Sequence, residues 1–273
     1  MAVTGLPARG ERVRALGLPL PPQRMPLRQG ARPLKRWRYV GVYGAELMLC
    51  VGEARVGPLP QRWWAVALPD GTVHEHTGAG RGGVRLEPGR AEVDSAALRL
   101  SLSFAEGHGV ETASPSGRSW IWTRKQGGVA VTGTAEVDGR RFEITSEGVV
   151  DESAGYHERH TSWRWSAGVG RAAGGERVAW NLVEGVHDAA RDSERTVWVE
   201  GEPHEVEPVP FAPDLSAVGE LRFREWSARE DHTNLLVFRS DYRQPFGTFT
   251  GRLPGGPELS EGYGVMESHD VRW

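Results

Sequence analysis

The sequence is short of several things, and each shortage closes off a class of function. Cys50 is the only cysteine among 273 residues. An intrachain disulfide and a cysteine-based zinc site are therefore both excluded. Cys50 lies in the apolar run LMLCV, where a buried, inert thiol is expected rather than a nucleophile. Lysine is nearly missing: Lys35 and Lys125 are the only two, and every other fixed cation is arginine. Isoleucine is as scarce, with Ile121 and Ile144 alone. Both scarcities fit GC-rich coding, so the arginine surplus does not signal phosphate binding. The formal net charge is only −3, too weak a field to gather nucleic acid or an acidic membrane surface. No apolar run approaches the ~18 residues that cross a bilayer. The N-terminus lacks the basic-then-apolar order of a secretory signal, and a cytoplasmic protein is expected. No glycine fingerprint opens a helix to cradle phosphate, and no G-x-S-x-G marks a nucleophilic serine.

What the chain does have is β-patterning and tryptophan, eleven of them. Residues 1–33 are rich in Pro, Arg and Gly without periodicity, and read as an irregular arm over the body. From Lys35 onward, short runs rich in Val, Trp, Thr and Phe are punctuated every eight to twelve residues by Gly, Asp-Gly or Pro. RWRYVGVYG, RWWAVALPDG, SWIWTRKQGG and RRFEITSEGVV are examples. Asp70-Gly71 and Asp138-Gly139 are tight-hairpin signals, because both central residues of such a turn favour positive φ. After Val150 the pattern restarts with SWRWSAG, ERVAWNLVEGV, NLLVFRSD and YGVMESHDVRW. AALRL and a few Ala/Arg stretches are the only segments compatible with a helical turn. The expected protein is all-β, with the arm at 1–33, a first β-domain at 34–150 and a second at 151–273. A weak internal repeat, S-W-x-W-[TS] at Ser119–Thr123 and Ser162–Ser166, agrees with two similar halves.

The segment GYHERHTSWRWSAG concentrates the chemistry. Read as a strand, it places His157, Arg159, Thr161, Trp163 and Trp165 on one face and Glu158, His160 and Arg164 on the other. The two histidines then cannot share an ion, and HERH offers i and i+3 where a helical zinc pair needs i and i+4. No metal is expected here. Trp163 and Trp165 can form an aromatic wall with Arg159 and His157 at its end; the plainer reading is a strand with tryptophans in the core and charges at the rim. In the C-terminal run, Val265, Glu267, His269, Val271 and Trp273 share a face. A Glu and a His two apart on a mostly apolar face suit general acid–base work, since burial raises a carboxyl and imidazole titrates near neutrality. A buried hydrogen-bonded pair that fixes register is the structural alternative. Asn181 and Glu184, Glu194, and Lys125 are further polar residues within apolar strands. Trp120, Trp122 and Trp180 join Trp163 and Trp165 as candidate ligand-wall residues, with Asn181 beside them.

The blocks KRWRYVGVYGAELMLCVGEARVGPLPQRWWAV, WTRKQGGVAVTG, TSWRWSAGVG, SERTVWVEG, QPFGTFTGRL and GYGVMESHDVRW, in that order, resemble the bacterial family of domain of unknown function 2804, from about Met25 to Trp273. That family is similar in organisation to AttH-like proteins and carotenoid 1,2-hydratases. The resemblance implies two lipocalin-like antiparallel β-barrels or half-barrels packed together, a calycin-type fold. It carries over no catalytic residue and no cofactor, because fold does not fix function. Three functions compete. One is a protein holding a hydrophobic small molecule (lipid, isoprenoid or polyene) in a tryptophan-lined cavity, since eight-stranded barrels can enclose one small ligand. A second is a cofactor-free hydratase, isomerase or cyclase on an apolar substrate, with Glu267, His269, His157 and Glu184 as its acid–base residues. The third is a β-surface that docks a partner chain through tryptophan anchors.

Overall fold

The computed structural model describes residues 4–79, 83–234 and 238–273. Part of the NLLVF run therefore lies outside the described residues. The arm is largely irregular. It holds a two-residue strand β1 (Ala8–Arg9), one helical turn α1 (Glu11–Ala15) and a minimal hairpin of β2 (Arg28–Gln29) and β3 (Arg32–Pro33). Val13, Leu20 and Met25 pin it down by packing with Trp120, Trp122 and Tyr156.

The body is two antiparallel sheets. The first contains β4 (Lys35–Tyr43), β5 (Met48–Val56), β6 (Leu59–Ala67), β7 (Val73–Ala79), β8 (Val84–Glu87), β9 (Arg90–Asp94), β10 (Leu98–Phe104), β11 (Val110–Ser116), β12 (Ser119–Val137) and β13 (Arg140–Gly155), and takes in β1. The second contains β14 (His160–Ala172), β15 (Arg177–Glu184), β16 (Thr196–Val199), β17 (Glu202–Glu205), β18 (Ala217–Val218), β19 (Leu221–Asn234), β20 (Arg239–Arg252) and β21 (Glu258–Arg272). In each sheet the opening long strand pairs with the closing one: β4 with β13, and β14 with β21. Each sheet is thus a curled meander, and together they make two lipocalin-like half-barrels packed against each other.

Three apolar clusters follow from this packing. Val40, Val42, Leu49, Val51 and Val66 fill the first half-barrel with Leu100 and Val131. Trp180, Leu182, Phe249 and Met266 fill the second. Between them, Tyr39, Tyr43, Met48, Cys50 and Ala65 of the first sheet meet Trp165, Ala167, Phe246 and Val265 of the second. The central strands are buried on both faces, which explains why LMLCV and WWAVAL run apolar without alternation.

Several local expectations are refined. At Asp138-Gly139 both residues have positive φ, 53° and 70°, as a two-residue hairpin turn requires. At Asp70-Gly71 only the glycine does. There the loop is wider: Leu68 N donates to Thr72 O at 2.9 Å, and Asp70 Oδ1 accepts from Thr72 N at 2.9 Å. AALRL is no helical turn; its end, Leu98–Leu100, enters β10 in register with β12. Burial of alternate leucines on the first core wins over helix propensity there. The two S-W-x-W-[TS] copies lie on non-equivalent strands, β12 near the end of the first sheet's chain path and β14 at the start of the second's. They do not mark a duplication.

Candidate functional site

A cavity of about 210 Å³ opens between the facing surfaces of the two sheets. Among the described residues, buried apolar side chains pack inside each half-barrel, and this cleft between them holds the candidate site. Its walls are indoles. Trp37 on β4 stacks on Trp163 of β14 with centroids 6.3 Å apart and planes 6° from parallel. Trp63, Trp165 and Trp273 also line it.

Strand alternation delivers the polar floor. Glu267, His269 and Val271 are successive inward residues of β21, and all three line the cavity. In register with β14, Glu267 faces Trp165 and His269 faces Trp163. The Glu267 carboxylate accepts three hydrogen bonds: from Trp163 Nε1 at 2.8 Å to Oε1, and from Tyr242 Oη at 3.0 Å and Gln244 Nε2 at 2.9 Å to Oε2. Burial pushes the carboxyl up, against the opposing effect of the Trp163 and Tyr242 donors. Of the three partners, the two N–H groups can only donate. The Tyr242 hydroxyl can turn and accept, so of the three it alone can take a hydrogen from a protonated Oε2, while Oε1 still accepts from Trp163. The guanidinium of Arg229 lies over the Tyr242 ring, 4.8 Å from its centroid, and over Trp63 at 5.4 Å. His269 packs on Trp163 at 4.5 Å and bonds Ser240 Oγ through Nε2 at 2.9 Å. Burial, then the charge of Arg229, lower its imidazole to about 3, so it is neutral at physiological pH.

The sequence-based candidates part company here. Glu267, His269, Trp163 and Trp165 come together in the cavity. His157 joins them from the segment before β14. Its ring is buried beside Trp37, at 5.0 Å, with neither nitrogen hydrogen-bonded, and burial lowers it well below the usual imidazole value. Asn181 stands behind the wall: its Oδ1 accepts from Trp165 Nε1 at 2.7 Å. The others lie elsewhere. Glu184 pairs at the surface with Arg164 at 2.9 Å. Arg159 is exposed, and its carbonyl accepts from the Trp273 amide at 2.9 Å. Trp120 and Trp122 sit beneath the arm, and Trp180 belongs to the second core, where it meets Phe249 at 4.9 Å. Strand parity for 157–165 fails at its start, because β14 begins only at His160. His160 itself pairs with Asp270 at the surface, 2.8 Å apart.

Sequence reasoning missed Arg229 and Tyr242 beside Glu267, Gln244 bonded behind it, and Asp151 and His187, which line the cavity with Lys125 and Glu194. Arg229 and Tyr242 occur in the polar stretches SAREDHTN and RSDYRQ, where nothing separates an inward charge from an outward one. The inward set of β20, Ser240, Tyr242 and Gln244, repeats with the period of two that β21 displays, and that periodicity was the available signal.

This architecture places the chain among double half-barrel proteins of lipocalin type. Residues 72–273 match the family described as Domain of unknown function (DUF2804), and the chain belongs to that family. Among solved structures it is similar to kievitone hydratase from Nectria haematococca, with a TM-score of 0.53 and 10% identity over 86% of this chain and 88% of that one. It is also similar to an AttH-type protein of Nitrosomonas europaea (TM-score 0.48, 14% identity, 91% and 97% covered) and to CghA with Sch210972 (0.48, 11%, 93% and 95%). A comparison with curated proteins finds no match. Among the described residues, no helix is long and apolar enough to cross a membrane.

Proposed function

We propose that the protein is a cofactor-free acid–base enzyme acting on an apolar, unsaturated small molecule bound between the two sheets. One observation carries this reading: a buried carboxyl, Glu267, is clamped at the floor of an indole-walled cavity and linked to the cavity through a hydroxyl that can reverse its hydrogen bond. Protonated Glu267 donates to Tyr242, and Tyr242 passes its own hydrogen to one carbon of a substrate double bond. The adjacent carbon becomes cationic, and the π-faces of Trp163 and Trp37 are placed to stabilise it. Addition of water at that carbon, with return of a proton through Tyr242 to Glu267, completes a hydration. Loss of a neighbouring proton instead gives isomerisation. Hydration is the reaction in the name of the Nectria protein, whose likeness is one of fold.

Incubation with polyenes, isoprenoids and unsaturated fatty acids in D2O, followed by mass spectrometry, tests the proposal. Deuterium is expected at an alkene carbon of a bound compound. Glu267→Gln and Tyr242→Phe should each slow incorporation by roughly 10²–10⁴-fold, the range for positioned acid–base groups. A second reading has its own support: with three donors already engaged, Glu267 can serve simply to fix Trp163 and Tyr242 in a carrier. Tight binding with no deuterium incorporated across the panel would establish the carrier and sink the enzyme.

A further inference from the structure

The cavity has a second polar end that the proton-transfer scheme leaves unused. Lys125 on β12 and Asp151 on β13 are direct register partners. Lys125 Nζ lies 2.7 Å from Asp151 Oδ1 and 3.2 Å from Glu194 Oε1, so one buried cation serves two buried carboxyls. The connection from β15 to β16 brings in the rest. His187 adopts φ 54°, and its carbonyl accepts from Glu194 N at 3.1 Å, which folds the loop so that both side chains reach the cavity. Asn181 Nδ2 holds the Glu194 carbonyl at 3.0 Å.

Asp151 Oδ1 has the Lys125 ammonium beside it, and two further atoms of this cluster are left over. Glu194 is 2% exposed, and its Oε2 has no hydrogen-bond partner. His187 is 6% exposed; its Nδ1 meets Ser114 Oγ at 2.9 Å while its Nε2 has none. Burial and the nearby Lys125 charge lower this imidazole to about 3, so it carries a single N–H. Ser114 can donate to Nδ1, which puts that hydrogen on Nε2. An acceptor and a donor, both buried and both unpaired, thus belong to residues that line the same aromatic-walled cavity. Buried polar groups left in this state are costly.

We infer that this end is a hydroxyl-recognition pole, and that the ligand is an apolar molecule carrying an alcohol or phenol held by Glu194 and His187. A hydroxyl satisfies both atoms, donating to Glu194 Oε2 and accepting from His187 Nε2–H. A ketone leaves Glu194 unpaired, a carboxylate faces Glu194 with like charge, and an ammonium leaves the His187 hydrogen unused beside Lys125. Trp165 lies between the poles: Lys125 Nζ is 5.7 Å from its ring centroid, and Glu267 is its register partner. The inference rests on the cavity being an apolar-ligand site and is independent of the proton transfer at Glu267.

Isothermal titration of the full chain with 2-naphthol and 2-methoxynaphthalene tests it, because the two probes share their rings and differ in the hydroxyl hydrogen. The naphthol is expected to bind at least tenfold more tightly. His187→Asn, which suits the left-handed backbone, and Glu194→Gln should each bring the ratio within about twofold. Equal affinities in the wild type, a ratio kept by both variants, or a ratio lost in Glu267→Gln instead would overturn the pole, as would failure of both probes to bind. If the variants do not fold, the ¹⁵N shift of His187 Nε2 in the wild type decides: it should move on saturation with the naphthol, and no movement rejects the pole. Hydroxyl selectivity without deuterium incorporation removes the acid–base reading and keeps this one; incorporation without selectivity does the opposite.

Discussion

Three imidazoles, His157, His187 and His269, sit where water cannot support a charge, and burial lowers all three, the last two to about 3. In the unfolded chain each takes up a proton near its ordinary value of about 6.5. Their folded values are depressed, so the stability they allow is intact above about pH 6.5. It is lost as the pH falls, at about 1.4 kcal/mol per pH unit for each histidine. Glu267 and Asp151 act with the opposite sign. Their folded values are raised by burial, so they favour the native state at acid pH and oppose it as the pH rises through those values. Urea denaturation between pH 7 and 5 should therefore show stability falling with acid, and His269→Gln should remove about one histidine's slope. Parallel profiles for the variant and the wild type would mean that His269 is not held neutral by the fold. At this scale the sequence was legible where a polar residue interrupts an apolar strand. Glu267, His269, Lys125 and Glu194 stood out for that reason. Tyr242 did not, because Asp241 and Arg243 beside it are polar too, and Asp151 did not, because it sits where the apolar pair Val149-Val150 gives way to Glu152 and Ser153; only sheet packing turns them inward.

An identical-looking pair of tryptophans can do two jobs, depending on the strand that carries it. Trp163 and Trp165 on β14 look across at the first sheet and wall the cavity, whereas Trp120 and Trp122 on β12 lie under the arm. Alternation says which residues share a face. It does not say what covers that face, and this limited the reading of the element. The reading succeeded for β21, where the inward register of residues 265–273 follows directly from the period of two. Gly52 on β5 shows how the wall is kept thin. It is the register partner of Trp63, and a Cβ built on it would overlap the Trp63 indole. Gly52→Ala should push that ring toward the cavity and weaken binding of any apolar probe by about tenfold, with a stability loss of about 1–3 kcal/mol from overpacking. Unchanged probe affinity in titration would show that Trp63 can slide along the strand instead.

Over the whole molecule, the arm acts as a clasp between the half-barrels. It joins the first sheet through β1, where Ala8 pairs with Ala113, and it reaches the second through Arg9. The Arg9 guanidinium donates to the Ser193 carbonyl and, at 2.8 Å, to Thr196 Oγ1, beside the loop that presents His187 and Glu194. Arg9→Met leaves those acceptors unpaired and should lower Tm by about 5 °C, a loss of about 2 kcal/mol. Hydrogen exchange should rise first in residues 185–195. A uniform rise across the protein would show that the arm braces the fold generally. The Pro- and Arg-rich composition of 1–33 announced an arm; its docking depends on tryptophans from a distant strand, which no local pattern reveals.

The pairing of opening with closing strands also sets an order of events in time. Lys35 of β4 waits for Gly155 of β13, and His160 of β14 waits for Arg272 of β21. Contacts so distant along the chain form late and slowly. Each half-barrel therefore stays an unclosed meander until its final strand arrives, and the cavity between them, which needs both, is assembled last. On refolding, strand content should return well before ligand capacity does. For a nascent chain the long interval before β21 arrives is one in which tryptophan-rich edges remain open to other chains.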